Sequence, residues 1–371
     1  MTRIYLIRHA EAEGNLYRRA HGHTDSLLTK NGLAQTERLS EWFAHRPVDA
    51  VYSSDLRRAV RTAEAVASVC RKTVQTDPAL REVRLGEWED LPWGLIARSF
   101  DTMQWFEKKS TWTVEGAERV EDAGRRVCKA VTRIAAEHDG EYIAVVSHGC
   151  VIRELLSATT GLSVPHLDNA SVSLLEIDGS VFKTEFIGEN RHLGDLSTHA
   201  KQSWWRNDPD KFPDAELWFS PVKLPEDTDA AMDYSRKAWN TVYGSMENFI
   251  PERFEKTLTE SSSTDPRYLQ FVMEGDKKIG LFQMRDTGRL SAFDGHISLF
   301  FLDPDRRGLG LGAQLLGEAV SIARSSGKSG LSLRVFHKNI SALEFYRKMG
   351  FTVFGSEQGY FGPLVHMRLL I

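Results

Sequence analysis

Arg8-His9 follows directly on the apolar run Ile4-Tyr5-Leu6-Ile7, and Ser147-His148-Gly149 follows in the same way on Ala144-Val145-Val146. Neutral imidazole is a nucleophile near pH 7, and a guanidinium offers phosphate oxygens a planar fork of donors. An arginine beside a histidine therefore suits phosphate chemistry. An isolated Arg-His pair is most often an ordinary charged loop; a second histidine in the same setting makes a shared site the better reading. Between the two, Tyr52-Ser53-Ser54-Asp55-Leu56 runs into Arg57-Arg58-Ala59-Val60-Arg61-Thr62-Ala63-Glu64. A helix N-terminus already favours anions, and arginines there deepen a phosphate pocket.

The elements that must position these residues follow from the patterning. Short apolar runs rich in β-branched residues read as buried strands, and open α/β sheets carry their chemistry at the strands' C-terminal ends. Gly149 then leads into a helix-like stretch from Val151 to Ala158, so two strand-tip histidines can face each other across one crevice.

These residues resemble the histidine phosphatase superfamily, also called phosphoglycerate mutase-like. The resemblance rests on Arg8-His9-Ala10-Glu11-Ala12-Glu13-Gly14-Asn15, on Ser53 to Glu64 with its arginine at Arg58, on Leu80-Arg81-Glu82 before Gly86-Glu87-Trp88-Glu89, and on Ser147-His148-Gly149. It implies a three-layer α/β/α domain in which His9 attacks phosphorus, becomes phosphohistidine and is released by water. Covalent catalysis of this kind divides one hard displacement into two easier ones. The resemblance further implies that Arg8, Asn15, Arg58 and His148 hold the phosphate oxygens, and that Glu82 protonates the leaving oxygen and then activates water. As an acid at neutral pH, Glu82 needs a pKa raised by burial or by nearby negative charge. The compact segment between Glu82 and His148 favours phosphatase over glycolytic mutase, whose members carry a longer insertion there.

Nearby residues receive plainer expectations. Glu11, Glu13, Arg57, Arg61 and Glu89 are expected on a solvated rim, with Glu87 and Glu89 the runner-up acids. His21-Gly22-His23 lacks a matching carboxylate or thiol set, so no metal is expected. The aromatic-rich stretch Leu91-Pro92-Trp93, Phe100, Trp105-Phe106 and Trp112 reads either as a helical lid over an organic substrate or as core packing.

The chain has 371 residues, more than one domain usually needs. The phosphatase pattern ends near 190–197, after a strand pair turning at Asp178-Gly179, so the first domain is expected at 1–197. A packed connector is expected at 198–216, within a stretch carrying Trp204-Trp205, Pro209, Pro213, Pro221 and Pro225, and a second domain at 217–371.

In the second half, the apolar strand His296 to Leu302 is punctuated by Asp303-Pro304-Asp305, and Arg306-Arg307-Gly308-Leu309-Gly310-Leu311-Gly312 opens an amphipathic helix. Glycines at such a turn let backbone N–H groups approach a pyrophosphate. A second strand, Leu331 to Val335, precedes Asn339-Ile340-Ser341-Ala342-Leu343-Glu344-Phe345-Tyr346-Arg347-Lys348-Met349-Gly350-Phe351. Together these segments resemble the GNAT-type N-acetyltransferase superfamily, which implies a mixed α/β domain using acetyl-CoA as cosubstrate. By that resemblance Arg307, Gly308, Leu309, Gly310, Leu311, Gly312 and Ala313 cradle the CoA pyrophosphate, Leu302 lines the pantetheine, Asn339 contacts the cofactor and Tyr346 protonates the leaving thiolate. Many relatives place a glutamate on the central strand as base; here the region offers His296, Asp294 and Ser298, or a water relay.

The sequence is 41% hydrophobic and 26% charged, with a net charge of −4, which suits two buried cores and gives no case for nucleic acid. No apolar stretch reaches the length of a membrane span, and the amino terminus enters a strand at once instead of a signal peptide. Cys70, Cys128 and Cys150 are odd in number and widely spaced, as expected of reduced thiols in a cytoplasmic protein. The expected activity is therefore bifunctional: hydrolysis of a small-molecule phosphomonoester and acetylation of an amine, on a small molecule or a peptide. The alternatives are one active domain regulated by a ligand-binding neighbour, and a mutase-type activity in the first domain. The sequence leaves the oligomeric state open.

Overall fold

A computed structural model describes residues 1–100, 102–106, 113–179, 181–200, 216–286 and 294–371. Trp112, Trp204-Trp205, Pro209 and Pro213 lie outside these residues, as does most of the connector expected at 198–216. The chain divides into two units, Met1–Leu91 with Ser99–Pro213, and Pro92–Arg98 with Asp214–Ile371. The first unit thus gives up a seven-residue piece that the expected 1–197 domain would have kept. Within the second unit, the Arg98 guanidinium of that piece lies over the Trp218 ring at 4.2 Å.

The first unit is built on six strands: β1 (Thr2–Arg8), β2 (Ala50–Ser53), β3 (Val74–Thr76), β4 (Tyr142–Ser147), β5 (Val172–Asp178) and β6 (Val181–Glu189). Their order is β3-β2-β4-β1-β5-β6, with the first four parallel and the last two antiparallel. The β5–β6 hairpin turns at the expected place, where Gly179 has φ +59°. Parallel strands buried on both faces read as continuous apolar runs, which is why Ile4 to Ile7 and Ile143 to Val146 are all within the core. On one face Tyr5, Ile7, Ala144 and Val146 meet Leu39 and Phe43 of the Lys30–Phe43 helix and Ala59, Ala63 and Val66 of the Arg57–Cys70 helix. The Val120–Glu137 and Gly149–Thr160 helices contact each other and β1, completing three layers.

The second unit carries β7 (Leu217–Pro221), β8 (Leu269–Glu274), β9 (Lys277–Arg285), β10 (Asp294–Leu302), β11 (Gly330–Phe336), β12 (Thr352–Gly359) and β13 (Gly362–Leu370) in the order β12-β13-β11-β10-β9-β8-β7. Every neighbouring pair is antiparallel except β10–β11. That parallel ladder runs only from Asp294↔Gly330 to Ile297↔Leu333, although both strands continue beyond it. The two strands therefore part toward their C-terminal ends, beside a bulge between Ile297 and Leu299. Among the described residues no helix is long and apolar enough to cross a membrane, and no disulfide joins the three cysteines.

Candidate functional site

His9 leaves the end of β1 with its backbone N–H donating to Ser147 O at 2.9 Å, so the β1–β4 ladder continues one residue into the site. Its ring Nδ1 lies 2.8 Å from Ala10 O. A carbonyl only accepts, so Nδ1 carries the proton and Nε2 keeps its lone pair. Burial, then Arg58 and Arg8, hold the imidazole well below its ordinary pKa, in the neutral form a nucleophile needs. His148 stands at the end of β4, its ring centroid 5.1 Å from that of His9. It is fully buried, and neither ring nitrogen has a partner among the described residues.

Arg58 is in the first turn of the Arg57–Cys70 helix, whose buried stripe is Arg58, Ala59, Thr62, Ala63, Val66 and Ala67. That spacing puts the guanidinium on the inward face. It is 1% exposed, donates to Gly22 O and Thr24 O at 2.8 Å each, and is lowered to about 10 by burial. Arg8 is also buried and lowered by burial; it donates to Leu167 O and stands 3.4 Å from His166 Nδ1. Gly149 permits this approach, since a Cβ there would lie 3.0 Å from Arg8 Nε. Among the described residues no carboxylate hydrogen-bonds to either guanidinium, and the Nε of each is buried without a partner.

Asn15 sits in the Glu13–Tyr17 helix, and its Oδ1 accepts from Ala12 N at 3.0 Å and from Asn169 Nδ2 at 3.3 Å. Glu82, the residue expected to act as acid and base, is half-buried among backbone donors. Its carboxylate accepts from Cys150 N at 3.0 Å, Val151 N at 3.2 Å and Val83 N at 3.0 Å, two of these at the start of the Gly149–Thr160 helix. Helix N-termini attract negative charge, so this placement anchors the carboxylate through donors. Its backbone carbonyl accepts from His23 Nε2 at 2.8 Å and Arg126 Nη2 at 3.0 Å.

Two rim expectations are corrected. Glu11 is 5% exposed and accepts from Thr29 Oγ1 at 2.6 Å, Asn31 Nδ2 at 3.1 Å and Thr198 Oγ1 at 2.8 Å. Neutral donors satisfy it, and it ties the loop after His9 to two distant segments. Glu89 accepts from His23 N at 3.0 Å and Leu85 N at 3.1 Å, bracing the loop whose carbonyls hold Arg58. Arg61 does lie at the surface, paired with Glu64 at 2.8 Å.

Sequence reasoning overlooked His21 as a site residue. Its ring centroid is 6.4 Å from that of His9, and burial, Arg58 and Arg8 hold it well below its ordinary pKa. A Cβ on Gly14 would lie 1.9 Å from His21 Nε2, so the glycine in the first motif was the available signal. No metal-holding group of His, Cys, Asp or Glu occurs among the described residues. Asn169, which donates to His9 O at 3.0 Å, carried no local signal. Of the aromatic stretch, Trp105 is buried with its centroid 5.3 Å from that of Trp88, Trp93 and Phe106 are half-buried, and Phe100 is exposed.

In the second unit the 303–311 turn links β10 to the Gly312–Ser325 helix, with Gly308 at φ +77° and Gly310 at φ +79°. Alternating positive φ curves successive N–H groups toward one point, and the helix start adds its field. Arg307 Nε donates back to Leu302 O at 2.8 Å, and Gly312 lets the Phe345 ring approach to 2.9 Å from where a Cβ would stand. Leu302 is half-buried and Ala313 buried, with Leu309 and Leu311 between the glycines. Asn339 caps the Ile340–Lys348 helix, its Oδ1 accepting from Ala342 N and Ser341 Oγ at 3.3 Å each, so its side chain has its amide NH2 to offer another partner. Tyr346 is buried among Phe300, Phe345 and Phe351, which pushes its phenol above the usual range. Of the three candidate bases, Asp294 accepts two bonds from Arg368 at 3.0 and 2.8 Å, and Ser298 is exposed in the bulge. His296 faces Ser332 Oγ at 3.2 Å; burial, then Arg334, Arg285 and His366, lower it to about 4.

The sequence model of the histidine phosphatase superfamily (branch 1) matches residues 4–190, and that of the acetyltransferase (GNAT) family matches residues 230–351. "Probable phosphoglycerate mutase GpmB" of Proteus mirabilis is 30% identical over 53% of this chain and 97% of its own length. "Putative phosphoserine phosphatase 2" of Hydrogenobacter thermophilus is 27% identical over 53% of this chain and 100% of its own. The solved structure of Bacillus stearothermophilus YhfR is 31% identical, covering 52% of this chain and 100% of that one with a TM-score of 0.48. Two neutral histidines and a buried arginine at strand ends and a second buried arginine at a helix start in the first unit, with a glycine turn beside parted strands in the second, thus accompany matches in order along the chain: it belongs to the histidine phosphatase superfamily and carries a GNAT acetyltransferase domain behind that one.

Proposed function

We propose that the chain is a bifunctional enzyme that hydrolyses a small-molecule phosphomonoester and transfers an acetyl group from acetyl-CoA to an amine. The first activity rests on one observation above others: two buried guanidiniums without a carboxylate bond among the described residues stand beside two neutral imidazoles, and neither ring nitrogen of His148 has a partner there. Buried unpaired charge is costly, and a phosphate dianion offsets it. In this reading His9 Nε2 attacks phosphorus, the ester P–O bond breaks, and the leaving oxygen takes a proton from Glu82. Water then attacks the phosphohistidine while Glu82 receives its proton, releasing inorganic phosphate and restoring Nε2. Arg8, Arg58, His148 and Asn15 stabilise the charge on the equatorial oxygens.

For the second activity, the 307–313 backbone would hold the pyrophosphate of acetyl-CoA and the gap between β10 and β11 its pantetheine. His296, neutral and not tied in an ion pair, is the residue we assign to take the proton of the incoming amine. Tyr346 would return a proton to the departing thiolate, in step with C–S cleavage because burial makes its phenol a weak acid.

A panel of phosphorylated amines, incubated with and without acetyl-CoA while phosphate and free CoA are followed together, tests both halves. The expected result is phosphate release independent of acetyl-CoA and CoA release dependent on an amine. Phosphate moved between carbon positions without net release would instead favour the mutase reading, which the name of the Proteus mirabilis relative keeps in view.

A further inference from the structure

We infer that the acetyl acceptor is a small primary amine carried on an aromatic skeleton, bound against β11 on the sheet face away from the Gly312–Ser325 helix. The inference rests on the acetyl-transfer reading above and adds the class of acceptor.

The face is fixed by contacts. A Cβ on Gly295 would meet Met284, Leu331 and Ala323, so Leu331 points toward the Gly312–Ser325 helix. Side chains alternate along a strand, so Ser332, Arg334 and Phe336 line the opposite face. His296 is Ser332's partner across the ladder and bonds to it, so it shares that face. The ladder closes at Ile297↔Leu333, and a thioester lying in the gap beyond would present its carbonyl beside Ser332 and Arg334.

Farther along the same face the chemistry changes from polar to aromatic. Phe336 is 5.2 Å from Tyr243, which is 4.4 Å from Trp239 in the preceding turn of the Thr228–Tyr243 helix. Phe361, at the turn between β12 and β13, is 4.6 Å from Tyr243 and 5.9 Å from Trp239. Phe249 and Phe254 stack at 4.4 Å and complete the wall beyond Trp239. Trp239, Tyr243, Phe249, Phe254 and Phe361 are half-buried rather than buried, and Met246, Ile250 and Tyr360 beside them in sequence are 44%, 51% and 79% exposed. The indole N–H of Trp239 is buried without a partner among the described residues, an uncommon state for a donor.

Such walls favour a flat ring over an alkyl chain, because aromatic pairs gain from offset and edge contacts beyond the area they cover. The advance from Arg334 to Phe336 is roughly 7 Å at the usual strand rise. A ring held at Phe336 and Tyr243 therefore places an amine on a two-carbon arm at the level of Arg334, beside the thioester carbonyl, while His296, opposite Ser332, lies a further strand repeat along. A polyamine or a lysine side chain covers less of these walls than a flat ring does.

The test uses the full chain with acetyl-CoA and five probes: tryptamine, phenethylamine, n-butylamine, spermidine and a lysine-containing peptide, following CoA thiol release and acetylated product. We expect kcat/KM for tryptamine or phenethylamine to exceed that for n-butylamine by roughly tenfold or more, the usual scale of pocket discrimination. In Tyr243→Ala and Phe361→Ala the ratio of tryptamine to n-butylamine should fall by roughly tenfold, mainly through KM, whereas Tyr243→Phe should keep it. Equal rates across the probes, a faster polyamine or peptide, or a ratio unmoved by both alanine variants overturns the aromatic acceptor alone. Turnover of no amine overturns the acetyl-transfer reading and this inference with it.

Discussion

At the scale of single residues the first unit buries two guanidiniums, Arg8 and Arg58, to which no carboxylate among the described residues hydrogen-bonds. Arg58 is gripped by the carbonyls of Gly22 and Thr24 in a bidentate manner that a lysine cannot copy. Arg58→Lys should therefore lower kcat/KM for p-nitrophenyl phosphate by about 10²–10³-fold, the scale for a lost charge-stabilising donor; retention of activity would show that only the charge matters. His9, His21 and His148 are all held well below their ordinary value, chiefly by burial. Each binds its proton more weakly folded than unfolded, so the unfolded chain takes up protons first as pH falls through about 6.5. Stability is then full above that pH and declines below it. Thermal unfolding from pH 7.5 to 5 should show this decline, and His21→Gln should flatten it; an unchanged slope would contradict a His21 held neutral in the folded chain.

Elements carry these residues through close approaches that only glycine allows. Gly32, in the Lys30–Phe43 helix, would set a Cβ 2.0 Å from Glu11 O. Gly32→Ala should cost about 1–3 kcal/mol in chemical denaturation, as for other overpacked contacts. Gly310 has open space around it but φ +79°, so Gly310→Ala acts through the backbone alone. A left-handed alanine costs about 1–2 kcal/mol, which predicts acetyl-CoA binding weaker by roughly tenfold in calorimetry. The strand-tip residues Arg8, His9 and His148 and the helix-start Arg58 were legible in the sequence because each closes a patterned element. Glu11, Asn169 and the position of His21 were not, since their roles depend on segments distant in sequence meeting around the loop after β1. Glu82 was legible as a residue but not in its surroundings, because the start of the Gly149–Thr160 helix reaches it only in the folded chain. In the second unit the glycine turn was legible, while the choice among His296, Asp294 and Ser298 needed the Arg368 ion pair and the bulge.

On the scale of the whole molecule, two units with separate sheets imply two ligand-linked stabilities. A ligand that binds only the folded state of one unit raises that unit's transition. Scanning calorimetry of the full chain should show inorganic phosphate raising one transition and CoA the other; a single transition moved equally by both would contradict independent units. Under the bifunctional reading proposed above, joining the two activities would raise the local concentration of any shared intermediate, an advantage for a phosphorylated amine. The phosphatase half of the proposal depends on His9 forming a bond to phosphorus. The full chain, mixed with p-nitrophenyl phosphate and quenched in alkali within the first turnovers, should carry one phosphoryl group on the peptide containing His9, and His9→Ala should carry none and release no phosphate. Phosphate release by His9→Ala at the unmodified rate, or a phosphoryl group on another residue, would contradict the account.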